Sequence, residues 1–294
     1  MNSTAEEISE LRLPFFILYI VVGVVFLLLH VRFVMIIQST RSLVKLPAYR
    51  CIQHASIACI INITTQIIAI AFTISQNEMN YTLNTINGAI FQGSWAAEYP
   101  VLLILAGNRL LSVASPVLVN RLCDLKLANA AVALCWSFGL FNAILCLSGQ
   151  VQTLWIPTAP GFAFTEGTFL ASFLFYMDFY FAEFVVVSSL ICYISILIIL
   201  LLKRDSMRSI KVELPLILHF GTIFALTAVV LFLWHNPPCQ GDIYGHIFNL
   251  AVVLRFCPSP VLAILTNESI RRSFFRRRRV ETTVTIIGSK RTEC

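Results

Sequence analysis

Two charged residues, Glu98 and Arg255, stand near the middle of long apolar segments of this sequence. In hydrocarbon an unpaired charge costs at least about 2.5 kcal/mol, so such residues usually pair with each other or mark a functional site. A carboxylate and a guanidinium can neutralise each other, and a guanidinium can instead bind an anion. We predict that Glu98 and Arg255 form an ion pair, or that Arg255 binds an anionic ligand. A purely structural ion pair is the competing interpretation.

The segment from Phe173 to Phe184 combines many aromatic side chains with acids. Aromatic faces beside one or two carboxylates suit a small ligand that is partly apolar or cationic. An aromatic belt at a membrane surface is the competing interpretation. Together with the two deep charges and the neighbouring tyrosine, the candidate ligand-binding residues are Glu98, Tyr99, Arg255, Tyr180 and Glu183.

Motifs for catalysis and metal binding are missing from the sequence. It has no HExxH, no GxSxG, no Walker loop and no dinucleotide fingerprint. Its nine cysteines include no CxxC pair and no spacing with histidine that is typical of a metal site. We therefore expect no enzymatic activity, no cofactor and no metal.

The composition predicts a membrane protein. Of the 294 residues, 58% are hydrophobic and only 12% are charged, and the mean hydropathy is +0.82. Soluble domains carry about 25% charged residues, and a water-soluble fold could not bury this much apolar surface. The net charge of +6 includes a run of arginines from Arg271 to Arg279. Directly after an apolar segment, such a run indicates contact with anionic lipid rather than with nucleic acid.

Seven apolar segments are long enough to cross the membrane as helices, since a core about 30 Å thick needs roughly 20 residues at about 1.5 Å each. In hydrocarbon the backbone must satisfy its own hydrogen bonds, so each segment predicts one helix. The fifth is longer than required, and we expect its membrane part to start near Tyr180. The expected spans are Pro14–Ile37, Cys51–Ile74, Gly88–Ala114, Leu127–Gln150, Thr168–Leu202, Val212–Trp234 and Tyr244–Leu265.

The distribution of basic residues predicts the orientation. Lysine and arginine follow the first, third, fifth and seventh spans, whereas the intervening loops contain neither. The positive-inside rule therefore places the N-terminus outside the cell and the C-terminus in the cytosol. The glycosylation sequons at Asn2 and Asn80 then lie outside. The expected location is the plasma membrane, crossed several times.

The chain divides into four expected parts: an extracellular N-terminus over residues 1–13, a seven-helix bundle over 14–265, a juxtamembrane amphipathic helix over 266–279 and a disordered cytosolic tail over 280–294. In the amphipathic helix, Ile270, Phe274 and Phe275 lie opposite the arginines, which is typical of a helix in the interface plane. The predicted fold is an all-α membrane protein with seven transmembrane helices and a short eighth helix.

Several short motifs resemble those of G-protein-coupled receptors (GPCRs). Asn108-Arg109-Leu110 ends the third span, where such receptors carry an acid-arginine-aromatic triplet. Trp136 lies in the middle of the fourth span, and Pro258 and Pro260 predict a kink near the end of the seventh. More narrowly, two segments resemble nematode serpentine chemoreceptors of class T or the related class X, namely Tyr49–Ala58 and Asn267–Arg272.

The resemblance implies a bundle of GPCR type that acts as a chemosensory receptor. It would bind a small external molecule and signal through a heterotrimeric G protein, with Asn108 and Arg109 as the coupling residues. It also implies a role in sensory perception and a location in a sensory cilium. From position alone, Arg109 could equally be an arginine that anchors the helix end at the interface.

The sequence departs from the receptor pattern at three positions. Asn108 replaces the acid of the triplet, Cys59 stands where a helix-two aspartate is expected, and Ala263 stands where a helix-seven tyrosine is expected. The cysteines that form the usual receptor disulfide are also missing. Two alternatives therefore stay open: an orphan or decoy receptor that binds without signalling, and a transporter or channel for small molecules with Glu98 and Arg255 along its path.

Overall fold

Ten helices and one β-hairpin make up the described part of the chain. The computed structural model describes residues 2–75, 79–115, 124–157, 160–165, 167–202, 221–234, 242–256 and 258–275. The helices are α1 (Asn2–Ser39), α2 (Arg41–Val44), α3 (Pro47–Ile74), α4 (Tyr81–Ala114), α5 (Leu125–Leu147), α6 (Phe169–Leu202), α7 (Gly221–Trp234), α8 (Asp242–Arg255), α9 (Pro258–Thr266) and α10 (Glu268–Phe275). The strands are β1 (Thr153–Ile156) and β2 (Gly161–Phe164).

Six stretches of the described chain are long and apolar enough to cross a membrane: Leu13–Ser39 of α1, then α3, α4, α5 and α6, and Tyr244–Thr266 across α8 and α9. The shorter apolar helix α7 is the described part of the predicted sixth span, whose residues 212–220 lie outside the described ranges. The prediction of an all-α bundle in the membrane is confirmed.

Helix α4 lies at the centre of the bundle, because it contacts α3, α5 and α6 and has the largest buried fraction of any span. By contrast, α1, α5 and α6 expose large apolar side chains, among them Leu28, Leu134 and Ile191. Exposed leucine and isoleucine at this density suit hydrocarbon and not water. These faces are therefore the surfaces that meet lipid.

Helices α4 and α5 approach closely through small residues. A Cβ added to Gly139 would lie 2.4 Å from the carbonyl oxygen of Gly93 and 2.8 Å from the Cβ of Ala97. Contacts this short do not occur, so only glycine allows this helix separation. In lipid there is no hydrophobic driving force for helices to associate, so close packing of small residues is a main source of helix association.

The seventh span is broken into two helices: α8 ends at Arg255 and α9 begins at Pro258. Pro260 has no N–H and cannot bond the carbonyl of Phe256, four residues before it. His30 of α1 supplies the missing donor, since its Nε2 lies 2.7 Å from that carbonyl oxygen. Because a carbonyl only accepts, Nε2 must carry the proton. The expected kink region thus coincides with a break that α1 stabilises.

The structure differs from the sequence-based boundaries at several points. Helix α1 begins at Asn2, twelve residues before the predicted start, and continues through Pro14, which lies inside the helix. Helix α6 is continuous from Phe169, so the aromatic extension before Tyr180 is part of one helix. Helix α4 likewise continues through Pro100. The β-hairpin between α5 and α6 was not predicted.

We expect Gly139→Ala to destabilise the bundle by roughly 1–3 kcal/mol, because the added methyl group forces α4 and α5 apart. The measurement is the melting temperature of the purified protein, with the fraction that elutes as a single species. Gly107→Ala is the matched control, since a Cβ there meets no described atom within 4 Å. Equal melting temperatures for the two variants would contradict the close α4–α5 contact.

Candidate functional site

An ion pair joins α4 to α8 inside the bundle. Arg255 Nη2 lies 3.1 Å from Glu98 Oε1, and the two side chains are only 1% and 6% exposed. The ion pair that the sequence predicts is therefore present. Each charge neutralises the other away from bulk solvent, which removes most of the cost of burying either one.

Three aromatic rings and one hydroxyl group surround the Arg255 guanidinium. The Arg255 guanidinium carbon lies 4.3 Å from the ring centroid of Trp95, 5.5 Å from Tyr99 and 5.3 Å from Phe256. These distances permit cation–π attraction. Arg255 Nε also donates to Thr227 Oγ1 of α7 at 3.1 Å. One arginine thus connects α4, α7 and α8.

The pair keeps hydrogen-bonding capacity that the described residues do not use. Glu98 Oε2, the Tyr99 hydroxyl and Arg255 Nη1 are buried and have no hydrogen-bond partner in the described part of the chain. Arg255 Nη2 meets Glu98 as an ion contact without hydrogen-bond geometry. Buried polar atoms are almost always satisfied, so these positions are where ordered water or a ligand would bind.

A polar face of α3 lies against α4 beside the pair. Cys59, Asn62 and Gln66 recur at helical spacing and are buried. The Cys59 thiol lies 3.8 Å from Glu98 Oε1, and Ser94 Oγ donates to Asn62 Oδ1 at 2.8 Å. Cys59 therefore takes the place of the expected helix-two acid, and the carboxylate of the interior comes from α4 instead.

The β-hairpin caps this end of the bundle, which we call the hairpin end. Asn84 of α4 binds the Trp155 backbone on both sides: Trp155 N donates to Asn84 Oδ1 at 2.9 Å, and Asn84 Nδ2 donates to Trp155 O at 3.2 Å. The Trp155 indole donates to Thr73 Oγ1 at 3.0 Å. Gly88 lets the hairpin lie directly on α4, since a Cβ there would meet the Thr153 carbonyl oxygen at 1.6 Å. Hydrogen bonds and close packing thus hold this hairpin.

A cavity lies between the hairpin and the ion pair. It has a volume of about 40 Å³. Its wall is mainly aromatic, formed by Phe91, Trp95, Phe162, Phe164, Trp234 and Phe248, and its polar groups come from Gln66, Gln92, Asp178 and Asn249. Gln66 Oε1 and Asn249 Nδ2 are buried without a hydrogen-bond partner among the described residues. An apolar cavity with a few unsatisfied polar groups has the character of a ligand site.

Only part of the predicted ligand set reaches this region. Glu98, Tyr99 and Arg255 lie together beneath the cavity, whereas Tyr180 is 63% exposed and Glu183 is exposed on the outer face of α6. Tyr180 and Glu183 therefore do not line this cavity. The reason is helical phase: the buried stripe of α6 runs through Ala171, Leu174, Ala182, Val185 and Ser189.

Asp178 is the acid of α6 that faces the cavity, and sequence reasoning missed it as a site residue. It lies between Leu174 and Ala182 on the buried stripe, and Gln92 Nε2 donates to its Oδ1 at 3.2 Å. The period of small and apolar residues along α6 is the signal that could have separated Asp178 from Glu183.

The opposite end of the bundle, which we call the α10 end, carries Arg109. Its side chain is half-buried, and its Nε has no hydrogen-bond partner among the residues described. Nearby, Asn267 Nδ2 donates to the Tyr49 hydroxyl at 2.6 Å, and Asn267 Oδ1 accepts from Ser269 N at 3.0 Å at the start of α10. Asn108 is half-buried one residue before Arg109.

The amphipathic helix α10 is tied to α1 and to the core. Ile270 is 1% exposed, and Arg32 Nη2 donates to the Phe274 carbonyl at 3.3 Å. Arg272 and Glu268 form an exposed pair at 2.6 Å on the outer side. Of the two sequon asparagines, Asn80 is exposed and caps α4 by accepting from Thr82 N at 3.0 Å, and Asn2 is the first residue of α1.

In the described part of the chain, six apolar stretches of membrane-spanning length, a central helix α4 and a broken last span form an all-α membrane bundle. A family model described as serpentine type 7TM GPCR chemoreceptor Srx matches residues 17–214, which is more than half of the chain. The chain belongs to this family. The prediction of a nematode serpentine chemoreceptor is confirmed, and the assignment to class T or class X stays a prediction. No curated protein matches the chain.

The family match ends before α7, so the assignment of Arg255 to the site depends on the structure.

We expect Glu98→Gln and Arg255→Met each to lower the free energy of unfolding by about 3–5 kcal/mol, because each leaves a buried charge without its partner. The double variant should recover most of the loss, since it leaves no charge behind. The measurement is thermal unfolding in detergent, followed by labelling of buried thiols such as Cys51 and Cys135. If the double variant lost as much free energy of unfolding as the two single variants together, direct pairing of Glu98 and Arg255 would be contradicted.

Proposed function

We propose that this protein is a chemosensory receptor at the plasma membrane that binds a small external ligand in the cavity under the hairpin and signals through a heterotrimeric G protein at the α10 end. The observation that carries the proposal is the cavity itself, which is aromatic, contains unpaired amide groups and lies directly above the Glu98–Arg255 pair. The family of chemoreceptors to which the chain belongs supports it.

The orientation in this proposal follows from the basic residues. Arg41, Arg50 and the arginines of α10 all lie at the α10 end, which the positive-inside rule assigns to the cytosol. The hairpin end, with the Asn80 sequon, then faces outside. A ligand from outside reaches the cavity without crossing the bundle.

An access route is suggested by a larger groove beside the hairpin. This groove lies between the hairpin, α6 and α7, and Phe164 and Trp234 line both the groove and the cavity. These two side chains form the wall that separates the two spaces. Rotation of either ring would open a path between them, and rotamer changes of this kind are common on ligand binding.

Signal transfer requires a ligand with different affinities for two packings of the bundle. Arg255 connects α4, α7 and α8 just below the cavity, so a ligand that displaces Trp95 or Arg255 alters all three contacts together. Helix α4 then continues to Arg109 without a break. The half-buried guanidinium of Arg109 at this end would bind a carbonyl or carboxylate of a G protein.

We expect Arg109→Ala to reduce receptor-stimulated nucleotide exchange on a G protein by at least about tenfold, because one charge-assisted hydrogen bond contributes about 1.5–3 kcal/mol. The measurement is guanine-nucleotide exchange by reconstituted receptor and G protein with ligand present. Arg41→Ala is the matched control, since it removes an exposed arginine of the same end from the short helix α2.

The same liposomes can test the alternative of a transporter or channel. Exchange that depends on Arg109, with no flux of the ligand across the membrane, supports the receptor. Ligand flux or current that is lost in Arg255→Met, with no nucleotide exchange, would reject the proposal in favour of transport. Ligand binding with neither exchange nor flux would identify a receptor that does not signal.

A further inference from the structure

The charges around the cavity do not balance. Glu98 and Arg255 form an ion pair at 3.1 Å, which leaves Asp178 as a second carboxylate, and Asp178 accepts a hydrogen bond from the neutral Gln92 amide. Among the described residues that line the cavity, no lysine or arginine is present. The site therefore holds one net negative charge in a low-dielectric environment. A cation bound beside Asp178 would strongly lower the free energy of the buried carboxylate.

The walls of the cavity suit a cation. Six aromatic residues contribute to the lining, and the electron-rich faces of Trp, Phe and Tyr attract an ammonium group within about 6 Å. Trp95 already binds the Arg255 guanidinium on one side at 4.3 Å, so its ring is positioned for this interaction. An anionic ligand would meet both Asp178 and these ring faces unfavourably.

The unpaired polar atoms match the donors of an ammonium. Gln66 Oε1 lies on the cavity wall and is buried without a donor in the described part of the chain, and the Asp178 carboxylate lies on the same wall. An ammonium group has up to three N–H donors and no acceptor, so it can satisfy both oxygens. Asn249 Nδ2 remains available for an oxygen atom on the ligand.

We propose that the cavity under the hairpin binds a small monocationic amine, with Asp178 as its counter-ion and the aromatic wall as its cation–π surface. This proposal names the ligand class of the receptor site and rests on the proposed function for that site. The volume of about 40 Å³ limits the ligand size. Because a single water needs about 10–15 Å³, a cavity of this size admits a short-chain amine of a few heavy atoms.

Three small molecules of equal length test the charge preference: propylamine, propanol and propionate. The purified full-length receptor in lipid nanodiscs is titrated with each, and tryptophan fluorescence reports binding because Trp95 and Trp234 line the cavity. We expect a saturable change with propylamine at concentrations at least about tenfold lower than with propanol or propionate, since a buried charge pair contributes 2 kcal/mol or more.

Two variants assign the effect to Asp178. Asp178→Asn keeps an acceptor for Gln92 and should weaken propylamine binding at least about tenfold. Glu183→Gln removes the same charge from the outer face of the same helix and should leave binding unchanged. If Asp178→Asn fails to fold, the comparison of the three probes on the native chain decides alone.

The outcomes separate this proposal from the proposed function. Equal binding of propanol, tighter binding of propionate, undiminished amine binding by Asp178→Asn, or no saturable binding of any amine from methylamine to butylamine would overturn the amine site. Amine binding without nucleotide exchange would uphold the amine site and reject signalling. Exchange driven by a neutral or anionic ligand, with no response to amines, would reject the amine site and uphold the receptor.

Discussion

The buried pair of Glu98 and Arg255 is the interaction on which the interior of this bundle depends. A guanidinium stays charged under all ordinary conditions, so Arg255 needs an anion wherever it lies in hydrocarbon. Glu98 supplies that anion from α4, the central helix, while Thr227 and the Trp95 ring complete the contacts. Because these groups come from α4, α7 and α8, the need to neutralise one arginine fixes the relative position of three spans.

This arrangement places the cluster of Glu98 and Arg255 next to the cavity. The Trp95 ring is both a wall of the cavity and an aromatic partner of Arg255, so in the proposed function a ligand in the cavity would act directly on the charge cluster. The hairpin closes the cavity on its other side and is held by the Asn84 side chain and by the absence of a side chain at Gly88. These contacts anchor the hairpin to the bundle without a disulfide bond. Cys146 contributes only a polar contact, since its Sγ lies 3.5 Å from Thr153 Oγ1 of the hairpin.

The fold was largely predictable from the sequence because hydrocarbon permits few solutions. Apolar length sets the spans, and a deep acid and a deep arginine must meet, as Glu98 and Arg255 do. The hairpin could not be predicted, since its two strands have four residues each and depend on Asn84 of a distant helix. The choice of Asp178 over Tyr180 and Glu183 depends on the rotation of α6, which in this strongly apolar helix is marked only by the spacing of a few small residues. Partners such as His30 and the Phe256 carbonyl are 226 residues apart and follow only from packing.

The ionisation state of Glu98 tests the central claim most directly. The difference between the infrared spectra of native receptor and of Glu98→Gln, both in lipid nanodiscs, isolates the bands of this one carboxyl group. Our account predicts that the substitution removes the stretching bands of an ionised carboxylate, because Arg255 keeps the charge in place at 3.1 Å. Loss of a protonated carboxyl band instead would show that Glu98 is neutral and that Arg255 is balanced by another anion, which would contradict the ion pair.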